Sequence, residues 1–281
     1  MKIPHAKIVF EDVFGKIGRC VLQVSGKTFC FLGAVGCMTH LTASSFYYCT
    51  IGPLRGESKL RKQLFPLMTS IGVRSAPIVC LVAVLTGAIL VLQTGQIVEQ
   101  YGQTKEMPGL VALSMTRSLG PLMTAIVIIS RVGASYTAVL GSMNINEEIT
   151  ALRTMSIHPV GYLVAPRMLS MLVMAPCLVV FAYLLGMIGG AAVSWGVYQI
   201  GPELYFKQTT LYLTLPDLFS GILKAVVFGP LISAISCHYG LTATGGPTGL
   251  GRNIMVSVVT CLVAIVFADA LLTAFLVNYV L

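Results

Sequence analysis

Five apolar stretches, each long enough to cross a bilayer, constrain this chain more than any other feature. They run over Ser75 to Val98, Leu119 to Ser142, Met168 to Tyr198, Leu218 to Tyr239 and Ile254 to Val280. A hydrocarbon layer about 30 Å thick is crossed by about 20 helical residues rising about 1.5 Å each. Barrel strands would instead be short and alternate in polarity, so helices are the expected solution. The composition agrees, because 56% hydrophobic residues and a mean hydropathy of +0.87 exceed what a water-soluble domain can bury. The expected fold is an all-α integral membrane protein. The third stretch, at about 31 residues, is too long for an upright helix, and Pro176 with Gly186-Met187-Ile188-Gly189-Gly190 predicts a kink, a tilt or a break.

Ahead of the spans, Phe29 to Thr50 is apolar but diluted by Thr39, His40, Ser44 and Ser45. Bases lie on both sides of it, so a crossing would strand one basic cluster on the wrong face. A helix lying in the interface is the expectation, with a sixth span as the alternative. This divides the chain into a basic, interfacial region 1–66 and a membrane domain 67–281. Ten bases precede the first span, and Arg153, Arg167 and Arg252 fall on the same side. Only Lys105 and Lys207 fall opposite. By the positive-inside rule the N-terminus is cytoplasmic and, after five crossings, the C-terminus is on the outer side. No cleavable signal segment is expected in the first 28 residues, which lack an apolar core.

The net charge of +8 is thus explained by anionic headgroups, without nucleic acid. The eight cysteines show no CxxC spacing and mostly lie in apolar runs, which suits small core residues rather than disulfides or metal ligands. Ser25-Gly26-Lys27-Thr28 ends like a phosphate-binding loop, but Val21 stands where its first glycine belongs. The glycine-rich Gly240 to Gly251 run reads as a flexible loop. His5, His40, His158 and His238 lack metal-ligand spacing, and no metal or cofactor is expected.

Charges inside the spans carry the functional signal, because an ionised group at mid-bilayer normally faces a partner, a cavity or a ligand. Arg117 lies at the outer edge of the second span and Arg131 near its middle; Lys224 lies in the fourth and Asp269 in the fifth. Two arrangements fit. Asp269 pairs with Arg131 or Lys224 to neutralise an interface, or Arg117 and Lys224 hold the phosphate of an anionic lipid. Between the second and third spans, Asn146 is suited to cap a short helix whose first turn carries Glu147 and Glu148. Ile149, Leu152, Met155 and Ile157 form its apolar side, and His158-Pro159 ends it. Two acids at its start disfavour an anionic lipid surface and favour docking to a cytoplasmic protein.

Leu110-Val111-Ala112-Leu113-Ser114, Arg117-Ser118-Leu119-Gly120-Pro121, Ser130-Arg131-Val132-Gly133-Ala134, Asn146-Glu147-Glu148-Ile149-Thr150-Ala151-Leu152, His158-Pro159-Val160 and Ala165-Pro166-Arg167 resemble, in order, the MlaE-type permeases of lipid-transporting ABC systems. The resemblance implies a homodimeric permease with five spans and an N-terminal interfacial helix, coupled to a cytoplasmic ATPase dimer that hydrolyses the ATP. It also implies an outer-side MCE-domain protein, a small STAS-domain subunit on the inner side, phospholipid or a related lipid as cargo, and residence in a bacterial inner membrane. Asn146, Glu147, Glu148, Leu152, Met155, His158 and Pro159 then belong to the coupling helix, and Arg117, Lys224, Arg131 and Asp269 to the lipid cavity. The family commonly carries glutamates where this chain has Ser118 and Val139, which implies less neutralised arginines and pairing shifted toward Asp269. Two other classes are weaker. A lipid-modifying enzyme needs an acid, histidine or nucleophile cluster that the sequence lacks. An ion-gradient-driven secondary transporter of an amphipathic substrate would show repeated halves and more buried acids.

Overall fold

A computed structural model describes residues 58–156 and 158–279. The interfacial helix expected over Phe29 to Thr50 lies outside the described residues, as does region 1–66 up to Ser58. Five membrane-length helical segments are present, over Leu64–Gln100, Thr104–Ile145, Val160–Tyr198, Leu215–Leu241 and Gly246–Leu276. The first is the helix α1, Ser58–Gln100. The second is assembled from α2 (Met107–Ser114), α3 (Gly120–Ile128) and α4 (Ala134–Ile145), joined by π-helical turns over Met115–Leu119 and Ile129–Gly133. The short α5 spans Glu148–Thr154, and α6 spans Ala165–Tyr198 after a third π-helical turn, Val160–Val164. A surface helix α7 (Pro202–Tyr212), absent from the sequence expectation, precedes α8 (Leu215–Leu241) and α9 (Gly246–Tyr279).

The second span begins well before the expected Leu119. Ser114, Thr116, Arg117 and Ser118 look too polar for a membrane helix, but Ser114 Oγ donates to the Leu110 carbonyl and Thr116 Oγ1 to that of Ala112. Hydroxyls satisfied within their own helix do not end a span. The glycine-rich run is likewise more ordered than expected. Only residues 242–245 connect α8 to α9, and Gly246 to Gly251 already belong to α9.

The third span shows no break at Pro176 or at its glycines. Those glycines serve contact instead. A Cβ on Gly87 would collide with the Gly186 carbonyl, and one on Gly189 with the backbone of Val84. Small residues thus let α1 and α6 pack backbone to backbone, the usual route to helix association where lipid removes any hydrophobic drive. Alongside, Tyr205 of α7 is fully buried with Val91, Val98, Met107, Val111, Ala191 and Ile200, and its hydroxyl abuts Gly190. Burial pushes that phenol up to about 12, so it stays neutral.

Leu81, Leu85, Leu92, Phe181, Leu184, Ile188, Val263 and Phe267 are exposed, an apolar belt suited to lipid. Tyr101, Trp195 and Tyr212, all exposed, gather near the α7 end of the bundle, where aromatic residues favour the headgroup region. Cys237 and Cys261 are buried as expected, but Cys177 is exposed on this belt. Replacing Gly87 with valine is expected to abolish the α1–α6 contact and lower the unfolding temperature of the detergent-solubilised chain sharply. Gly196→Ala, where a new Cβ meets nothing within 4 Å, serves as the neutral control.

Candidate functional site

Gly120 and Pro121 create the site. The π-helical turn sends the Gly120 N–H to the Met115 carbonyl, five residues back, so the Thr116 carbonyl loses its usual donor. The Arg117 carbonyl would ordinarily accept from residue 121, but proline has no N–H. Two adjacent carbonyls are thereby open inside the bundle, and two side chains take them. Tyr183 Oη of α6 donates to the Thr116 carbonyl at 3.0 Å, and Lys224 Nζ of α8 donates to the Arg117 carbonyl at 2.8 Å.

Lys224 is only 1% exposed. Besides the Arg117 carbonyl, its ammonium reaches Thr273 Oγ1 at 2.7 Å and Asp269 Oδ1 at 2.8 Å, both on α9. The ammonium is therefore held by two hydrogen bonds and one ion pair, while Asp269 Oδ1 makes no hydrogen bond among the described residues. Of the two pairings open for Asp269, the structure adopts the one with Lys224. Ser118 Oγ donates to Asp269 Oδ2 at 3.4 Å, and Thr273 Oγ1 is within 2.7 Å of the Asp269 carbonyl. Spans two, four and five are thus joined at one buried cation.

Arg117 faces a different acid. Its Nε donates to Asp217 Oδ1 at 2.6 Å, and Asp217 is buried. The other oxygen, Asp217 Oδ2, accepts from Thr214 N at 3.1 Å and Thr214 Oγ1 at 2.6 Å. This capping box opens α8 and neutralises the arginine in one step. Arg117 is thus neutralised by Asp217, and Asp269, toward which the sequence reading shifts the pairing, pairs with Lys224. Asp217 is a site residue that the sequence reading does not single out; Thr214-Leu215-Pro216-Asp217 carries the capping signal that points to it. Arg117 keeps 39% of its side chain exposed, and among the described residues its terminal nitrogens bond to nothing.

Arg131 does not join this cluster. It sits on the second π-helical turn, 14 residues or about 21 Å along the span from Arg117. Its Nη1 donates to the buried Ser75 Oγ of α1 at 2.9 Å. Val139, where the resemblance implies a glutamate, is exposed on the outer belt.

At the end of the bundle opposite α7, α5 differs from its expected form. Asn146 does not cap it, since Asn146 terminates α4 and the capping position belongs to Glu147, which makes no side-chain cap bond. Glu147 is left-handed at φ 59° and Ser156 at φ 60°, so the helix is set between two unfavourable turns costing about 1 kcal/mol each. It ends at Thr154 rather than at His158-Pro159, and the buried Pro159 instead leads into the third span. Ile149 anchors it in the core, Leu152 is half-buried, and Asn146, Glu147, Glu148 and His158 are exposed. Met155 is 67% exposed, an unbranched apolar side chain turned to the surface.

The family described as Permease MlaE matches residues 64–275. A relative from Synechocystis, named "Probable ABC transporter permease protein", is 34% identical over 233 residues, covering 83% of this chain and 87% of the relative. A Rickettsia typhi protein of the same description is 36% identical over 226 residues, 80% of this chain and 85% of its own. The Arabidopsis thaliana chloroplast protein TRIGALACTOSYLDIACYLGLYCEROL 1 is 32% identical over 222 residues, 79% of this chain and 63% of its own.

Removing Lys224 alone should strand Asp269 in the bundle. Lys224→Met is expected to cost about 3–5 kcal/mol, and the double variant Lys224→Met with Asp269→Leu to recover much of it. Unfolding temperatures of the four proteins in one detergent measure that coupling; additive losses would mean the pair contributes nothing.

Proposed function

The chain belongs to the MlaE permease family, and from that premise we propose that it moves phospholipid or a related lipid between a bacterial inner membrane and an outer-side MCE-domain protein. Two copies enclose the lipid cavity, and a cytoplasmic ATPase dimer docks on their α5 helices. ATP hydrolysis in that partner alternates access to the cavity, and a small STAS-domain subunit sits on the inner side. The chain supplies the path and hydrolyses nothing. Its α5 end, with the N-terminus, faces the cytoplasm, and its C-terminus faces the periplasm, in keeping with the basic side of the sequence.

The observation that carries the lipid reading is the half-open guanidinium of Arg117. Its Nε is held by Asp217 while its terminal nitrogens make no hydrogen bond among the described residues and the side chain stays 39% exposed. A guanidinium fixed in this way suits phosphate oxygens. Lys224, with its donors committed to the chain, acts by positioning Arg117 through its carbonyl, and Asp269 by holding Lys224. One relative bears the name of a galactolipid, which favours a glycerolipid as cargo.

Coupling is assigned to α5 on its exposed Glu147, Glu148 and Met155, with the Ile149 anchor transmitting force to the spans. Glu147→Lys with Glu148→Lys should leave the chain in the membrane while ATPase co-purification and lipid transfer fall by at least about ten-fold. Normal ATPase binding and transfer in that variant would sink the coupling assignment. Arg117→Gln should reduce transfer with ATPase binding unchanged, and equal transfer would remove Arg117 from the lipid path.

A further inference from the structure

The end of the bundle that carries α5 holds a second set of cations, arranged unlike the first. The opening turns of the α1 span and the inner part of the second span part to form a cleft of about 150 Å³, lined by Ser70, Ile71, Arg74, Arg131, Ser135 and Tyr136 among others. A space of about 10–15 Å³ in this measure accommodates one water, so the cleft is large enough for a polar group with its substituents.

Among the described residues its lining is rich in donors and holds no acid. Arg131 is oriented into place by its bond to Ser75 Oγ. Tyr136 is 6% exposed, and its hydroxyl is buried with no hydrogen-bond partner among the described residues. The Arg167 guanidinium lies 5.5 Å from the centre of the Tyr136 ring and adds positive potential behind it; Arg167 Nε is also buried without a partner. The two ion pairs among the described residues both lie in the Lys224 and Arg117 cluster, so no carboxylate neutralises Arg74, Arg131 or Arg167 there. Arg74 is exposed at the mouth and Arg131 half-buried, while the orphaned Tyr136 hydroxyl is costly unless a ligand accepts from it.

We propose that this cleft is a second anion site, separate from Arg117, which binds the phosphate of an anionic amphiphile from the leaflet at the α5 end. Arg74 and Arg131 supply paired donors to the phosphate oxygens, Tyr136 donates its hydroxyl, and Ser70 and Ser135 reach the remaining oxygens or the headgroup. Leu67, Ile71 and Val132, which complete the lining, meet the apolar part of the ligand. A free phosphate satisfies the same donors without using that apolar wall. The site stands on its own geometry and does not depend on the transport reading.

The test is a titration of the full chain in a neutral detergent, read by unfolding temperature and by native mass spectrometry. The probes are dihexanoyl phosphatidylglycerol, dihexanoyl phosphatidylcholine and inorganic phosphate. Phosphatidylglycerol is expected to bind and raise the unfolding temperature. Its apparent affinity should weaken about ten-fold or more in Arg74→Gln and Arg131→Gln, and measurably in Tyr136→Phe. Tyr136→Phe keeps the ring and its packing, so it decides the matter if an arginine variant fails to fold. Binding of phosphatidylglycerol but not inorganic phosphate identifies a lipid headgroup as the source; equal binding of both identifies a phosphate-type anion without need of the lipid. Unchanged affinity in Arg74→Gln and Tyr136→Phe, or binding that is lost only in Arg117→Gln, overturns the site.

Discussion

The ammonium of Lys224 is the interaction on which the rest of the membrane domain depends. A lysine this deeply buried requires partners, and it obtains them from both spans that must be held: a hydrogen bond to the Arg117 carbonyl of the second, and a hydrogen bond to Thr273 with an ion pair to Asp269 of the fifth. The charge pair gains strength from the low dielectric, while its desolvation must be repaid by full hydrogen bonding. The two hydrogen bonds of the ammonium meet that condition in part, and the consequence is a fixed orientation for the π-helical turn carrying Arg117. The arginine is thereby presented by a rigid scaffold.

Backbone irregularity is used with economy. Two of the three π-helical turns, Met115–Leu119 and Val160–Val164, are each followed within two residues by a proline, Pro121 and Pro166. Missing N–H donors leave carbonyls open within the membrane, which ordinarily carries a penalty of several kcal/mol per group. At Thr116 and Arg117 the open carbonyls are occupied by Tyr183 and Lys224, so the irregular turn becomes a joint between spans instead of a defect. The third turn, Ile129–Gly133, carries Arg131. Both intramembrane arginines of the second span therefore sit where the helix widens.

The two ends of the bundle have opposite electrostatic designs. Toward α7, each of Arg117 and Lys224 has its own carboxylate, Asp217 or Asp269, and only Arg117 retains free donors among the described residues. Toward α5, guanidinium groups line a cleft with no acid of the described chain beside them. In a permease of this family, such an asymmetry distinguishes the two leaflets by charge as well as by position. The small helix α5, strained at Glu147 and Ser156 and anchored by Ile149, adds a surface whose movement would be felt in both adjoining spans.

Hydropathy alone determined the five crossings, their order and the all-helical class, because about 20 uninterrupted apolar residues have few other fates in a membrane. The charged residues within the spans were equally legible, since each is expensive in lipid and must have a purpose. That Arg117 needs a counter-charge was visible too, but its partner was not. Asp217 lies 100 residues from Arg117, and its role depends on where α8 starts and which way it faces. Tertiary structure also decided that Lys224 is held within the chain, that Arg131 stands apart, and that α5 ends early with Glu147 rather than Asn146 at its cap. Sequence records which groups must find partners; only the packing of distant helices determines which partners are within 3 Å.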